Sequence, residues 1–186
     1  MKTKFFIAIL LFAFTANIYA NDGGRNNYDD IGGFFAQASE VESPNVEYFY
    51  ISKAMLALTR GKVNVGGIKE GINLGDFYDK IDFIRSVGVT ANTSAKDQSL
   101  LEGAEELAKR VYKQYNYQNL MVSSDGGRRA YIFYKYGEGG LCSLLVVVIR
   151  KKELPGNGQT VLDFARVLLM GGTFRVEDIP TLINNF

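Results

Sequence analysis

The chain has no histidine and no tryptophan, and its 186 residues include only one cysteine and three prolines. Without histidine, neither a Ser-His-Asp nor a Cys-His catalytic arrangement can be built, and a His-ligated zinc site is equally out of reach. Cys142 has no second cysteine to pair with, so the fold must be held by packing and not by an internal disulfide. It lies in the almost unbroken apolar run Leu141–Ile149, where a free cysteine is expected to act as a small buried hydrophobe. An excess of one charge is also missing, with 21 Lys and Arg against 20 Asp and Glu. Such a balance gives no field that would draw in nucleic acid or an anionic surface. Phosphate-cradling patterns are absent too: the glycine-rich stretches match neither G-x-x-x-x-G-K-[ST] nor G-x-G-x-x-G, and they read as turns.

What is present begins with a leader. Lys2 and Lys4 precede the apolar run Phe5–Phe14, and Thr15–Ala20 closes on a small residue before the polar Asn21-Asp22-Gly23-Gly24. The order of basic, apolar and cleavable regions predicts a secretory signal peptide over 1–20. The run is shorter than the ~20 residues a membrane span requires, and no later segment has that length and apolarity. No cysteine stands directly after the apolar run, which predicts a mature protein without a lipid anchor, periplasmic or extracellular. Removal of Lys2 and Lys4 takes the basic count from 21 to 19, a mature net charge of −1. The remaining 166 residues suffice for one compact domain, and 47% hydrophobic and 13% aromatic content suits a core rather than a disordered chain. The domain is expected over 28–186, after a flexible start at 21–27.

Within it, Ile31, Phe34, Phe35 and Ala38 predict a short helix over Tyr28–Ala38. Glu42-Ser43-Pro44-Asn45 reads as a turn. Val46–Ile51 is rich in β-branched and aromatic residues, which predicts a strand, with Phe49 and Ile51 on one face and Val46, Tyr48 and Tyr50 on the other. Apolar residues on both faces predict a strand covered on both sides. Ser52 stands as the N-cap of a two-turn helix over Lys53–Thr59. Five glycines from Gly61 through Gly75 predict an ordered loop over Arg60–Gly75. Lys80–Val87 reads as a strand with Ile81 and Phe83 opposed to Asp82 and Ile84.

The clearest helix is Asp97–Asn116. Leu100, Ala104, Leu107, Val111 and Tyr115 form an apolar stripe, widened by Leu101, Ala108 and Tyr112. Ser99 and Glu102 have the spacing of a capping box. Glu105 with Lys109 and Glu106 with Arg110 are favourable i,i+4 pairs on a face expected to be solvated. Then come strands over Tyr117–Ser123, Arg128–Tyr136, Leu141–Lys151 and Thr160–Met170, separated by glycine-rich turns, and a closing helix over Val176–Ile183. The expected fold is α+β: a mostly antiparallel sheet with a C-terminal four-strand meander, one long amphipathic helix on one face, and short N- and C-terminal helices.

Two groups of residues are candidates for chemistry. Asp76, Asp79 and Asp82, with Glu177 and Asp178, are the acids that a carboxylate-dependent hydrolase or a calcium site would draw on. On the spacing, the first three span a turn and a strand edge, and the last two sit at a helix start where acids are expected in any case. Tyr48, Tyr50, Tyr131 and Phe133 would form a carbohydrate- or peptide-binding face if one side of the sheet were bare. Arg128–Tyr136 mixes bases and aromatics as some nucleic-acid-binding sheets do, but packing on both faces of a sheet explains the pattern better in an exported, nearly neutral chain. Asn92-Thr93-Ser94 fits a glycosylation acceptor and is incidental in bacterial export.

The order of three segments resembles a known family. They are Tyr50-Ile51-Ser52-Lys53-Ala54-Met55-Leu56, then Asp79-Lys80-Ile81-Asp82-Phe83-Ile84-Arg85, and finally Gly172-Thr173-Phe174 followed by Glu177-Asp178-Ile179 and Leu182. Together they resemble the domain-of-unknown-function 4252 family, small exported envelope proteins of Bacteroidetes, over roughly Tyr28 to Phe186. The resemblance implies a secreted, periplasmic or lipid-anchored α+β domain with no catalytic residues to carry over. It also implies a link to envelope stress, through family genes that lie near those of extracytoplasmic sigma factors. The chain departs from the pattern in lacking a lipidation cysteine and in having Arg175 where Ser or Thr would cap the last helix. The expectation is a non-enzymatic binding module with no cofactor and no metal, whose partner is an envelope protein or a glycan and not nucleic acid.

Overall fold

The computed structural model describes residues 31–63, 72–92, 94–156 and 158–180. The leader, the start of the expected first helix, and Leu182 and Ile183 of the closing helix lie outside them. The order of elements is α1 (Gly32–Ser39), β1 (Val46–Ser52), α2 (Lys53–Thr59), the two-residue strands β2 (Lys62–Val63) and β3 (Ile72–Asn73), a 3-10 turn (Gly75–Lys80), β4 (Ile81–Thr90), α3 (Ala95–Gln114), β5 (Gln118–Asp125), β6 (Arg128–Tyr136), β7 (Cys142–Glu153), β8 (Thr160–Gly172) and a 3-10 turn at Val176–Asp178. The fold is α+β and mostly sheet, as expected. Six antiparallel strands lie in the order β1-β4-β8-β7-β6-β5, so the meander β5–β8 runs inward from one edge and the β1–β4 pair completes the sheet at the other.

Both faces of the sheet are packed. On one face α3 and α1 bury Leu100, Leu101, Ala104, Leu107, Val111, Ile31 and Phe35 against Val87, Val147 and Val167. On the other, Leu56 of α2, Leu74, Phe174 and Ile179 pack on Ile51, Ile84, Leu144 and Met170. Two cross-strand rows show the pattern. Tyr48, Val87, Val167, Val147, Tyr131 and Val122 stand side by side on the α3 face, and Phe49, Ser86, Leu168, Val146, Ile132 and Met121 on the opposite one.

The junction from β1 to α2 forms as the sequence predicts. Ser52 is extended, and its Oγ accepts the Met55 N–H at 3.4 Å, relieving one of the free donors at the helix start. Ile51 and Leu56 on either side are buried, and Arg60 ends the helix in the left-handed region at φ 50°. The β5–β6 turn is also as expected: Gly126 and Gly127 both have positive φ, the conformation a tight two-residue hairpin needs.

Four local readings change. The helix expected over Asp97–Asn116 is α3, Ala95–Gln114, so Ser99 and Glu102 lie inside it and form no capping box. Its N-cap is Ser94, whose N–H donates to Asn92 Oδ1, a short-range turn that starts the helix two residues early. In β4 a bulge between Ile81 and Phe83 breaks the two-residue alternation, so Ile81 and Ile84 share one face and Phe83 packs on the other. The expected loop over Arg60–Gly75 contains the β2–β3 pair, which is too short to give a periodic signal. The charged side of α3 is not wholly solvated, since Lys151 of β7 reaches Glu105 at 2.8 Å.

Candidate functional site

Two of the candidate acids, Asp82 and Asp178, are tied into the architecture. Asp82 lies at the bulge of β4 and binds Lys53 Nζ at 2.8 Å, tying the first residue of α2 to the neighbouring strand. Asp178 accepts the Arg175 N–H at 2.9 Å and pairs with Lys80 at 3.4 Å. The Arg175 N–H and then Lys80 hold its carboxyl below the usual aspartate range, although the site is partly solvated. Asp178 therefore does the capping that Arg175 cannot, by taking the Arg175 N–H from three residues further on. Asp76 and Asp79 lie in the 3-10 turn Gly75–Lys80, and Asp79 and Glu177 are exposed. The Lys80–Asp178 pair brings the two acidic stretches to one end of the molecule. Two of the five carboxylates are thereby neutralised by lysines. Among the described residues no group of three His, Cys, Asp or Glu could hold a metal ion.

The candidate aromatics are held apart. Tyr48 and Tyr131 stand near opposite ends of one cross-strand row, with Val87, Val167 and Val147 between them. Four strand spacings put the two ends roughly 19 Å apart. The middle of that row is covered by α3, and Phe133 is itself buried at 2% exposure. Tyr131 stacks on Phe133 with centroids 6.0 Å apart, while Tyr50 lies beside Phe83 at 6.5 Å and under the Arg85 guanidinium. The four residues flank the helical layer on two sides and do not make one platform. Cys142 is buried, and the Tyr134 hydroxyl donates to its Sγ at 3.0 Å. Burial, and then the neighbouring thiol, push the Tyr134 hydroxyl pKa well above its ordinary value, so it stays a neutral donor.

A depression that the sequence did not single out lies where β1, β4 and β8 meet, on the face opposite α3. Pro44, Asn45, Glu47, Gly88, Thr90, Phe164 and Arg166 line about 160 Å³ of space. Glu47, Gly88 and Arg166 are cross-strand neighbours in that order. Gly88 has no side chain, so Arg166 reaches over it to Glu47 Oε2 at 2.8 Å. A Cβ on Gly88 would lie 3.2 Å from that guanidinium. Arg166 Nε is buried and has no hydrogen-bond partner. The lining combines the Arg166 guanidinium, an aromatic ring, an amide, a carboxylate and a hydroxyl. Sequence reading missed it because Glu47, Gly88 and Arg166 are up to 119 residues apart and meet only through strand pairing.

Nearby, Asp97 in the first turn of α3 is fully buried and accepts the Ser43 hydroxyl at 2.8 Å, fastening the turn that leads into β1. No helix among the described residues is long and apolar enough to cross a membrane.

A family model described as "Domain of unknown function (DUF4252)" matches residues 36–182. No curated protein and no solved structure matches the chain.

Proposed function

The chain belongs to the DUF4252 family, and on that premise we propose that it is an exported, non-enzymatic protein of the cell envelope that works as a binding or interaction module. One observation carries this reading. Of the carboxylates that a hydrolase would use, Asp82 is taken up by Lys53 and Asp178 by Lys80 and the Arg175 N–H. The leader pattern of Lys2 to Ala20 supports export, to the periplasm or outside the cell on this reading. A role in envelope stress is in keeping with the resemblance. The binding surface on this reading is the Arg166 depression, and its ligand is a polypeptide segment or envelope component that supplies an acceptor to the exposed part of the Arg166 guanidinium.

A photo-crosslinking residue placed at Thr90, at the rim of the depression, tests the proposal in an envelope fraction. The expected result is a discrete crosslinked partner that disappears in Arg166→Ala while the melting temperature of that variant stays within a few degrees. Hydrolytic turnover that is lost in Asp79→Asn or Glu177→Gln, both exposed positions, would overturn the non-enzymatic reading.

A further inference from the structure

The outer edge of the sheet at β5 differs from the rest of the molecule. All eight residues of Gln118–Asp125 are exposed, and none belongs to either core. Leu120, Met121 and Val122 are nevertheless 40%, 46% and 53% exposed apolar side chains. Met121 stands beside Ile132 on one face and Val122 beside Tyr131 on the other, so an apolar row on each face runs out to the edge and stops there.

An edge strand leaves a line of backbone N–H and C=O groups without strand partners, and proteins usually blunt it with lysine, proline or a covering element. From Gln118 to Ser124 there is no charge and no proline. The bulge in β5 lies between Asn119 and Met121, which leaves Met121–Asp125 in regular register. The opposite edge, β1, is entered from Pro44, carries Glu47 and has residues packed into both cores. An object docking on one face of the sheet would cover Met121 or Val122 but not both. Only an added strand continues both faces and satisfies the edge at once.

We propose that β5 is the pairing edge of a homodimer, in which two copies join β5 to β5 antiparallel about a two-fold axis near Val122. An axis perpendicular to the sheet keeps each face on its own side: Val122 meets its own copy on the α3 face, and on the other face Met121 lies beside Ser123 of the second copy. The strand is self-compatible in charge: its single charged residue, Asp125, lies at the end away from the axis, and no like charges are opposed. The interface is of the small class that forms weak, reversible complexes.

Sedimentation of the protein from about 1 µM to 1 mM, the range such weak interfaces occupy, should show the mass rising from one chain to two. Val122→Lys, at an exposed position, should remain monomeric throughout with an unchanged circular dichroism spectrum. Val122→Cys should crosslink to itself under mild oxidation, because the buried Cys142 does not compete. Amide exchange on the unaltered protein gives a readout that does not depend on the variants folding: amides of Met121–Asp125 should gain protection only at high concentration. A monomer at the highest concentration, or a dimer that persists in Val122→Lys without concentration-dependent protection of β5, would overturn the proposal. Neither result bears on the Arg166 depression, which lies on β1, β4 and β8.

Discussion

Gly172→Ala is the most discriminating test of the packing described above. Gly172 is the last residue of β8 and pairs with Ile81 on one side and Cys142 on the other. Its φ lies outside the left-handed region, so alanine meets no backbone strain of its own there. The obstacle is space: a Cβ would fall 2.0 Å from Lys80 O and 2.9 Å from Ile81 Cα. Ordinary contacts begin near 3.4 Å, so β8 would have to move more than an ångström away from β4. That motion strains the Thr173 N–H to Lys80 carbonyl bond, now 2.8 Å, and dislodges Phe174, which is fully buried against Tyr134. Overpacking of this kind costs about 1–3 kcal/mol, and a lost hydrogen bond adds about 1 kcal/mol. We therefore expect a loss of about 2–4 kcal/mol in urea denaturation followed by circular dichroism, a large part of the 5–15 kcal/mol typical of a domain. A loss below about 1 kcal/mol with an unchanged slope would refute the close approach of β8 to β4. In Gly172-Thr173-Phe174 the first residue permits the approach, the next makes the bond, and the third fills the core.

Further expectations concern other parts of the fold. Gly103→Ala should stabilise by about 1 kcal/mol, since alanine is the better helix former and its Cβ would meet the Phe34 ring at an ordinary 3.5 Å; thermal melting reads the gain. Ser52→Ala should cost about 1 kcal/mol through the lost cap, and Leu56→Ala about 2–5 kcal/mol through a buried cavity, both measured by chemical denaturation. Glu105→Gln tests the link between α3 and the sheet. The Lys151 hydrogen bond, chiefly, holds the Glu105 carboxyl below the usual glutamate range. A depressed carboxylate contributes its stability above the unfolded-state pKa and loses it as pH falls through the folded value. The variant should therefore be less stable than the parent near neutral pH, by up to about 1 kcal/mol for so solvated a pair, and the difference should close at acid pH. A difference that stays constant from pH 7 down to pH 3 would contradict the pairing.

Much of this protein is legible along the chain, wherever the signal is local. The period of α3, the Ser52 cap, the Gly126–Gly127 turn and the meander follow from residues that are neighbours along the chain, because helical hydrogen bonds and tight turns close within a few residues. The three segments that carried the family resemblance also fall on real junctions: Ser52 caps, Leu56 anchors, and Gly172 lets two backbones meet. Even the early start of α3 had a local signal in Asn92 and Ser94. Which strand is central and which is an edge depends instead on how distant strands pair. β5 and β7 both read as strands, yet one is wholly exposed and the other is buried at six of its twelve residues, a difference set by the order β1-β4-β8-β7-β6-β5. The same order separates Tyr48 from Tyr131, joins Glu47 to Arg166 across Gly88, and gives Asp82 and Asp178 their lysines. Such contacts come from strand pairing between residues as many as 119 positions apart. Residue type and periodicity show that a side chain prefers to be buried or paired, but the partner is chosen when distant strands pair.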